Sequence, residues 1–353
     1  MLLPIALLGT LAVPALGPAT PQSIVVTYDP VEACFGRHVE GSGEWTRTRG
    51  RFEYRFASEE ALGIFDAEPA RYAVQLGGAC ARMGPLSVIG DPGRYTVYRG
   101  RLYFFGSDGC RSRFLERPAA YLWSPDPKPS PSAEAVRAGR LLVTKALAAM
   151  GGKEAFGQLR SLSWTNGESW MEGEGLGRSE HTLRFDFAGS IDILRTAGDW
   201  KQTVHVRGDG GVLVEDGEVY ALDPSERLAA LRELHGEPVW ILARRNDPAF
   251  RFWAESTPGG ADVLACHGAG ITTRLELDAE GGVVAVLQRR RDPSMGFTEV
   301  RTELTGATRV GALLLALERR ATASGRPAET LRRNWVNVRQ NEPLPIPPEV
   351  PAR

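Results

Sequence analysis

The chain has 353 residues, 42% of them hydrophobic and 24% charged, with a formal net charge of −1. That length accommodates two domains with separate cores. The near-neutral balance excludes the basic excess expected of a nucleic-acid-binding domain, so no nucleic acid is expected among its partners. In chain order, Tyr28 and everything before it lack charged side chains, and Asp29 is the first. Leu2 to Leu16 form an apolar run broken by Pro4 and Pro14 and followed by Gly17-Pro18-Ala19-Thr20. This run is too short and too proline-rich to span a membrane and reads as the hydrophobic region of a secretory signal peptide over residues 1–22. A periplasmic or secreted protein with no transmembrane anchor in the mature chain is expected. No cysteine follows the run closely, which argues against a lipoprotein anchor.

The next hundred residues contain a repeat. Arg49-Gly50-Arg51 precedes an aromatic strand ending at Phe56, then Ser58, Phe65, Pro69 and Tyr72. Arg99-Gly100-Arg101 precedes an aromatic strand ending at Phe105, then Ser107, Phe114, Pro118 and Tyr121. Counted from the serine, Phe, Pro and Tyr stand at +7, +11 and +14 in both copies. One small strand–turn–helix unit is duplicated, at about 28–82 and 92–122, within a first domain over 23–123. Its aromatic residues are expected to form its core.

Pro125, Pro127, Pro129 and Pro131 then alternate with polar residues. This spacing favours extended backbone and predicts a semi-rigid linker over 124–131 separating two bodies. Ser132 is a fitting N-cap for a helix reaching Met150 and closed by Gly151-Gly152. Val136, Gly139, Val143, Leu147 and Met150 share one of its faces, and Glu154–Leu159 adds a short turn.

From Leu162 the pattern is of strands. Leu183, Phe185 and Phe187 alternate with polar residues, Val204 and Val206 flank His205, and Leu275 and Leu277 alternate before a turn at 278–282. Further turns are expected at Asp209-Gly210-Gly211 and Asp216-Gly217, and a helical insertion from Ser225 to Leu234, reaching Arg244. The alternating Gly173, Gly175 and Gly177 read as a hairpin tip. The fold class is α+β: a small duplicated strand/helix module followed, over 132–353, by a curved antiparallel sheet (a half-barrel) with packed helices and a proline-rich surface tail.

Residues 28–122 resemble the YHS domain family in its exported form. The matching residues are Tyr28-Asp29-Pro30-Val31, Val39-Glu40-Gly41-Ser42, Tyr54-Arg55-Phe56-Ala57-Ser58, Asp66-Ala67-Glu68-Pro69-Ala70-Arg71-Tyr72 and Gly77-Gly78-Ala79-Cys80-Ala81. The segment Tyr103 to Cys110, with Phe114, Pro118 and Tyr121, is similar to the shorter YHS unit found beside metal-transport ATPases. The resemblance implies a small α+β unit with Cys80 and Cys110 as candidate metal ligands; Ala61 stands where the first copy would have its cysteine. The second domain resembles, in texture, the periplasmic lipoprotein-carrier superfamily. That texture is an opening helix ending in Gly-Gly, a strand series and the ending Trp335 to Leu344. The resemblance implies a lipid or acyl chain held by burial.

Cys34 lies four residues before His38, so a soft-metal set of Cys34, His38, Cys80 and Cys110 holding zinc or copper is one reading. A disulfide among these cysteines is the competing one, and inert buried thiols the third. Cys266 and His267 are adjacent, so a strand sends them to opposite faces and they do not make a catalytic pair; Cys266 reads as core. His181, His205 and His235 are isolated, and no His-Glu-x-x-His, Walker loop or Gly-x-Ser-x-Gly is present. Arg289-Arg290-Arg291 reads as a solvated strand end or turn, with an anion or headgroup contact as the alternative. The sequence therefore points to a non-enzymatic, exported binding protein of the bacterial cell envelope. Its first domain would bind a soft metal and its second an apolar ligand. An interaction scaffold with no small ligand and a thiol oxidoreductase are the alternatives.

Overall fold

The computed structural model describes residues 23–172, 175–256, 262–292, 294–323, 330–334 and 336–350. Residues 1–22, where the sequence suggests a signal peptide, Gly173 and Trp335 lie outside the described residues.

The repeat folds as two copies of one frame. Strands Ser42–Arg49 and Phe52–Phe56 with helices Glu59–Ala67 and Pro69–Tyr72 recur as Asp91–Tyr98, Arg101–Phe105, Asp108–Glu116 and Pro118–Tyr121. Every boundary is displaced by 49 residues, from Ser42 to Asp91 at one end and from Tyr72 to Tyr121 at the other. Each hairpin even carries its register shift at the equivalent place, Ser42/Thr46 and Asp91/Tyr95. Ser58 and Ser107 cap the longer helices by accepting the N–H of Ala61 and of Cys110, both at 3.2 Å. Pro69 and Pro118 begin the short helices, where a missing N–H costs nothing. Phe65, Tyr72, Phe114 and Tyr121 are buried, as are the strand aromatics above them. The shared frame corrects one element of the sequence alignment. The two Arg-Gly-Arg motifs lie 50 residues apart, so Arg51 corresponds in space to Gly100 and not to Arg101.

The first copy has an additional anchor. Strand Ile24–Val26 pairs in parallel with Phe52–Phe56. Asp29, fully buried, accepts the N–H groups of Val31 (2.8 Å) and Glu32 (3.1 Å) at the start of helix Pro30–Cys34, and that of Ala57 (2.8 Å). One carboxylate thus satisfies three donors and fixes the helix to the strand end.

The remainder is built on two seven-stranded antiparallel sheets. The first runs, in spatial order, Glu218–Ala221, Gly210–Glu215, Trp200–Arg207, Ile191–Ala197, Gly175–Asp186, Ser161–Glu172 and Val336–Gln340. The second runs Arg251–Ser256, Asp262–Gly268, Ile271–Leu277, Val283–Asp292, Gly296–Val310, Leu313–Ala323 and Thr330–Asn334. Neither sheet closes into a barrel, since Glu218–Ala221 and Arg251–Ser256 each pair on one side only. Gly175 and Gly177 fall in the returning strand of a hairpin, opposite Glu172 and Trp170. Among the described residues no helix is long and apolar enough to cross a membrane.

Helices Ala133–Ala149, Gly152–Gln158, Pro224–Leu234 and Pro238–Ala243 share one core with both sheets. Leu234, Ile241 and Leu242 have no exposed surface. A cavity between helices and sheets, beside Trp164, Leu183 and Val286, is about 60 Å³, room for a few waters and not for an acyl chain. Ser132 caps the long helix through the N–H of Ala135 (3.1 Å), and Val143, Leu147 and Met150 are buried as its pattern implies. Gly139 on the same face lies against the backbone of Trp253, and a Cβ there would collide with it. Gly139→Ala should therefore destabilise the protein by about 1–3 kcal/mol through overpacking. This reverses the gain of up to about 1 kcal/mol that helix propensity alone assigns. Urea unfolding of the two proteins gives the sign directly.

Candidate functional site

The module sits against the sheets through a buried ion triad. Arg51 donates to Glu215 Oε2 at 2.7 Å and to Glu226 Oε1 at 3.2 Å, and its guanidinium lies 5.0 Å from the centre of the Tyr220 ring. Glu226 is the third residue of helix Pro224–Leu234 and completes a capping box, accepting the Asp223 N–H at 2.9 Å. Gly77, at φ +64°, lets the loop of the module come down on this carboxylate; a side chain there would strike it. Three further contacts complete the docking. Arg291 donates to Ala81 O, Arg195 to Leu86 O, and Tyr121 Oη to Ser294 O, each at 3.0 Å. The linker is pinned as well: Asp126 N–H donates to Gly270 O, and Asp126 Oδ2 accepts the Thr272 N–H, both at 2.8 Å. It joins two bodies in contact and does not space them apart.

Between module and sheets this docking leaves a cleft of about 550 Å³. The module contributes Gln75, Leu76, Met83, Pro85, Leu86, Tyr98, Arg99, Arg101 and Tyr103, and the chain leaving it adds Leu122 and Trp123. Ser225, Leu228, Ala229 and Arg232 come from one face of helix Pro224–Leu234, at the spacing that puts residues three and four apart side by side. Strand Val283–Asp292 contributes Gln288 to Arg291, with Phe297 from the next strand and Arg195 from the other sheet.

The lining holds seven arginines and one carboxylate, Glu233. Phe297 is the hub. The guanidinium carbons of Arg232, Arg291 and Arg289 lie 4.5, 4.9 and 5.4 Å from its ring centre. Arg290 is paired with Glu233 Oε2 at 2.8 Å, and Arg289 reaches Asp126 Oδ1 at 3.5 Å. Arg232 instead donates to the carbonyl of Arg289 at 3.3 Å and lies 5.4 Å from the Trp123 ring. Burial, reinforced by the charges of Arg291, Arg290 and Arg289 and opposed by Asp126, pushes its pKa down to about 9. Burial likewise takes Arg291 down to about 10. Both shifts say that positive charge is held here at a cost, which an anion would relieve. Gln288, almost fully buried in the wall, has an amide oxygen with no hydrogen-bond partner.

The structure separates the four residues named as a metal set. Cys80 and Cys110 are free thiols, and Cys110 packs against the buried cluster that holds Cys80. Cys80 is fully buried, and burial pushes its thiol up. Burial also raises Cys110, but hydrogen bonds from Ser107, Arg82 and Cys80 and the Arg82 charge outweigh it and leave the thiol below its ordinary value. Cys34 packs half-buried on the core of the first copy, and burial takes it up to about 11. His38 is exposed and bonded through Nδ1 to Tyr95 Oη at 2.9 Å. Among the described residues no group of three or more His, Cys, Asp or Glu side chains is placed to hold a metal ion. A structural zinc site takes four ligands, and the cysteine pair supplies two. Cys266 is buried in the main core, where burial pushes its thiol up, and His267 bonds Thr272 Oγ1 at 2.9 Å.

The cleft gathers its arginines and Phe297 from distant segments, and the one signal visible in the sequence is Arg289-Arg290-Arg291, whose lesser reading is an anion or headgroup contact. Three consecutive arginines in a strand place charge on both of its faces. In a two-body protein that pattern marks a face against which something polar packs.

No protein-family model matches the sequence, and no curated protein matches it. Among solved structures the chain is similar to a DUF1329 family protein from Desulfovibrio piger. That match has 11% identity, covers 60% of this chain and 96% of the other, and has a TM-score of 0.40. It is also similar to a LolA superfamily protein from Nitrosomonas europaea, with 10% identity, 59% and 94% coverage and a TM-score of 0.39. Likeness of this degree assigns neither a family nor a function.

The docking triad has a pH signature. Burial, opposed by Arg51 and the Asp223 N–H, raises Glu226 from 4.5 to about 7. Burial, opposed by Arg319, does the same to Glu237. An acid raised on folding contributes stability that is fully present below its ordinary pKa and lost as pH rises through the folded one. Both groups therefore lower stability as pH climbs from 4.5 to about 7. Glu226→Gln should remove about half of that slope. Urea midpoints measured across this window for both proteins test it; parallel curves would mean that Glu226 titrates as though exposed.

Proposed function

We propose that the protein is an exported binding protein of the cell envelope, and that it holds an anionic amphiphile in the cleft between its module and its sheets. The observation that carries this reading is the lining of seven arginines against one carboxylate. Such an excess is costly to assemble without an anion to receive it. The volume, about 550 Å³, lies within the range of small-molecule sites. Leu76, Met83, Leu86, Leu122, Trp123 and Leu228 offer an acyl chain apolar surface, at roughly 0.8 kcal/mol per buried methylene. Arg232, Arg289 and Arg291 offer its acidic head, carboxylate or phosphate, planar donors suited to bidentate pairing. This retains the lipid-binding role implied by the sequence but moves the ligand from the inside of the sheets to their junction with the module. Action in the periplasm or outside the cell is supported by the uncharged, apolar opening of the chain.

Dodecanoate and dodecanol distinguish head from tail. By calorimetry, dodecanoate should bind the protein about tenfold or more tightly than dodecanol, and Arg232→Gln should lose about 10- to 100-fold for dodecanoate alone. Equal binding of the acid and the alcohol, or an unchanged dodecanoate affinity in the variant, would sink the proposal.

A further inference from the structure

The two copies of the module provide an internal control for the cysteine pair. Ala61 and Cys110 occupy the same place, third in their helices, with the same 3.2 Å bond from backbone N–H to the capping serine. The frame is therefore complete with alanine, and the sulfur of Cys110 is not required by the fold. What the second copy adds around that sulfur is specific. Arg82 Nη1 lies 3.7 Å from Cys110 Sγ, and Cys110 packs against the buried cluster that holds Cys80. Cys110 is partly exposed and its sulfur faces a guanidinium, whereas Cys80 is fully buried.

We propose that Cys110 and Cys80 form an exchange dithiol whose substrate is an accessible external disulfide, with Cys110 as the attacking and Cys80 as the resolving sulfur. In the first step the Cys110 thiolate attacks one sulfur of the external disulfide. The external S–S bond breaks, a mixed disulfide forms on Cys110, and the departing thiolate takes up a proton. In the second step Cys80 loses its proton and attacks the Cys110 sulfur. The second external thiol leaves, and the Cys80–Cys110 disulfide remains. The external disulfide is reduced to two thiols, and the protein is the two-electron donor. Arg82 favours the thiolate of Cys110 at the start and takes part as a positioning residue. Cys110 stands in the first turn of its helix, whose start is capped by Ser107, a position that favours a thiolate.

The reduced full chain, treated with oxidised glutathione at neutral pH, acid-quenched and mapped by mass spectrometry, tests this. The expected product is a Cys80–Cys110 crosslink with release of reduced glutathione, and with Cys34 and Cys266 unmodified. Cys80→Ser should stop at a glutathione adduct on Cys110, and Cys110→Ser should leave Cys80 untouched. A second measurement needs no variant that must fold. In the native chain iodoacetamide should label Cys110 about tenfold or more faster than Cys34. Labelling of Cys34 at an equal or higher rate, first addition of glutathione at Cys80 or Cys34, or failure of the crosslink to form would overturn the assignment.

Discussion

Everything that distinguishes this protein from a sheet with a small module attached depends on Arg51. Its guanidinium is buried between Glu215 and Glu226, one carboxylate on the edge region of a sheet and the other inside a helix cap. A buried pair of this kind gives little net stability, because desolvation offsets most of the attraction. Its value is in orientation, since a buried guanidinium has few acceptable partners. Removal of one member leaves an uncompensated charge and costs about 3–5 kcal/mol. With the module turned to satisfy Arg51, the loop from Leu76 to Leu86 and the Tyr98–Arg101 turn face helix Pro224–Leu234 across the cleft. Arg291 then reaches the carbonyl of Ala81. The docking surface and the proposed binding surface thus share a helix, with Glu226 at one end and Arg232 two turns on.

Much of the fold was legible in the sequence, and for local reasons. The Ser132 cap, the face of Val143 and Leu147, the insertion beginning beside Ser225 and the turns at Asp209 and Asp278 all depend on residues within a few positions of one another. The serine, phenylalanine, proline and tyrosine offsets reported the duplication because each has one fixed task in the frame. The Arg-Gly-Arg match misled by one residue because the triplet has no common task in the two copies: Arg51 is buried at the interface, whereas Arg99 and Arg101 line the cleft. His205, isolated in the sequence between Val204 and Val206, is buried, with Nδ1 2.7 Å from Asp192 Oδ1, and Arg207 donates to Pro345 O of the tail at 2.9 Å. No local pattern reports a face that a distant tail covers.

The site was less legible than the fold. Cys80 and Cys110 were named as a pair and do meet, but Cys34 and His38, joined to them by proximity in sequence, belong to the other copy. The cleft gathers residues from Leu76 to Phe297, and its chemistry lies in an imbalance of charge that is invisible while the net charge of the whole chain is −1. Carboxylates elsewhere cancel the arginines in composition but not in space. The duplication has been divided in the same way: the first copy supplies Arg51 to the interface, whereas the second supplies Arg99 and Arg101 to the cleft and Cys110 to the thiol pair.

The pinned linker gives this arrangement a further property. Asp126 fastens the chain to Gly270 and Thr272 only a few residues after the module ends, so the module is held at an effective concentration of the millimolar order or above even when its own contacts are lost. Weak docking then suffices to keep it seated, and a broken triad would let the module rotate without diffusing away. Mechanically the assembly is a hinged cover on a fixed axle, and the axle is one aspartate, held through both its backbone and its carboxylate.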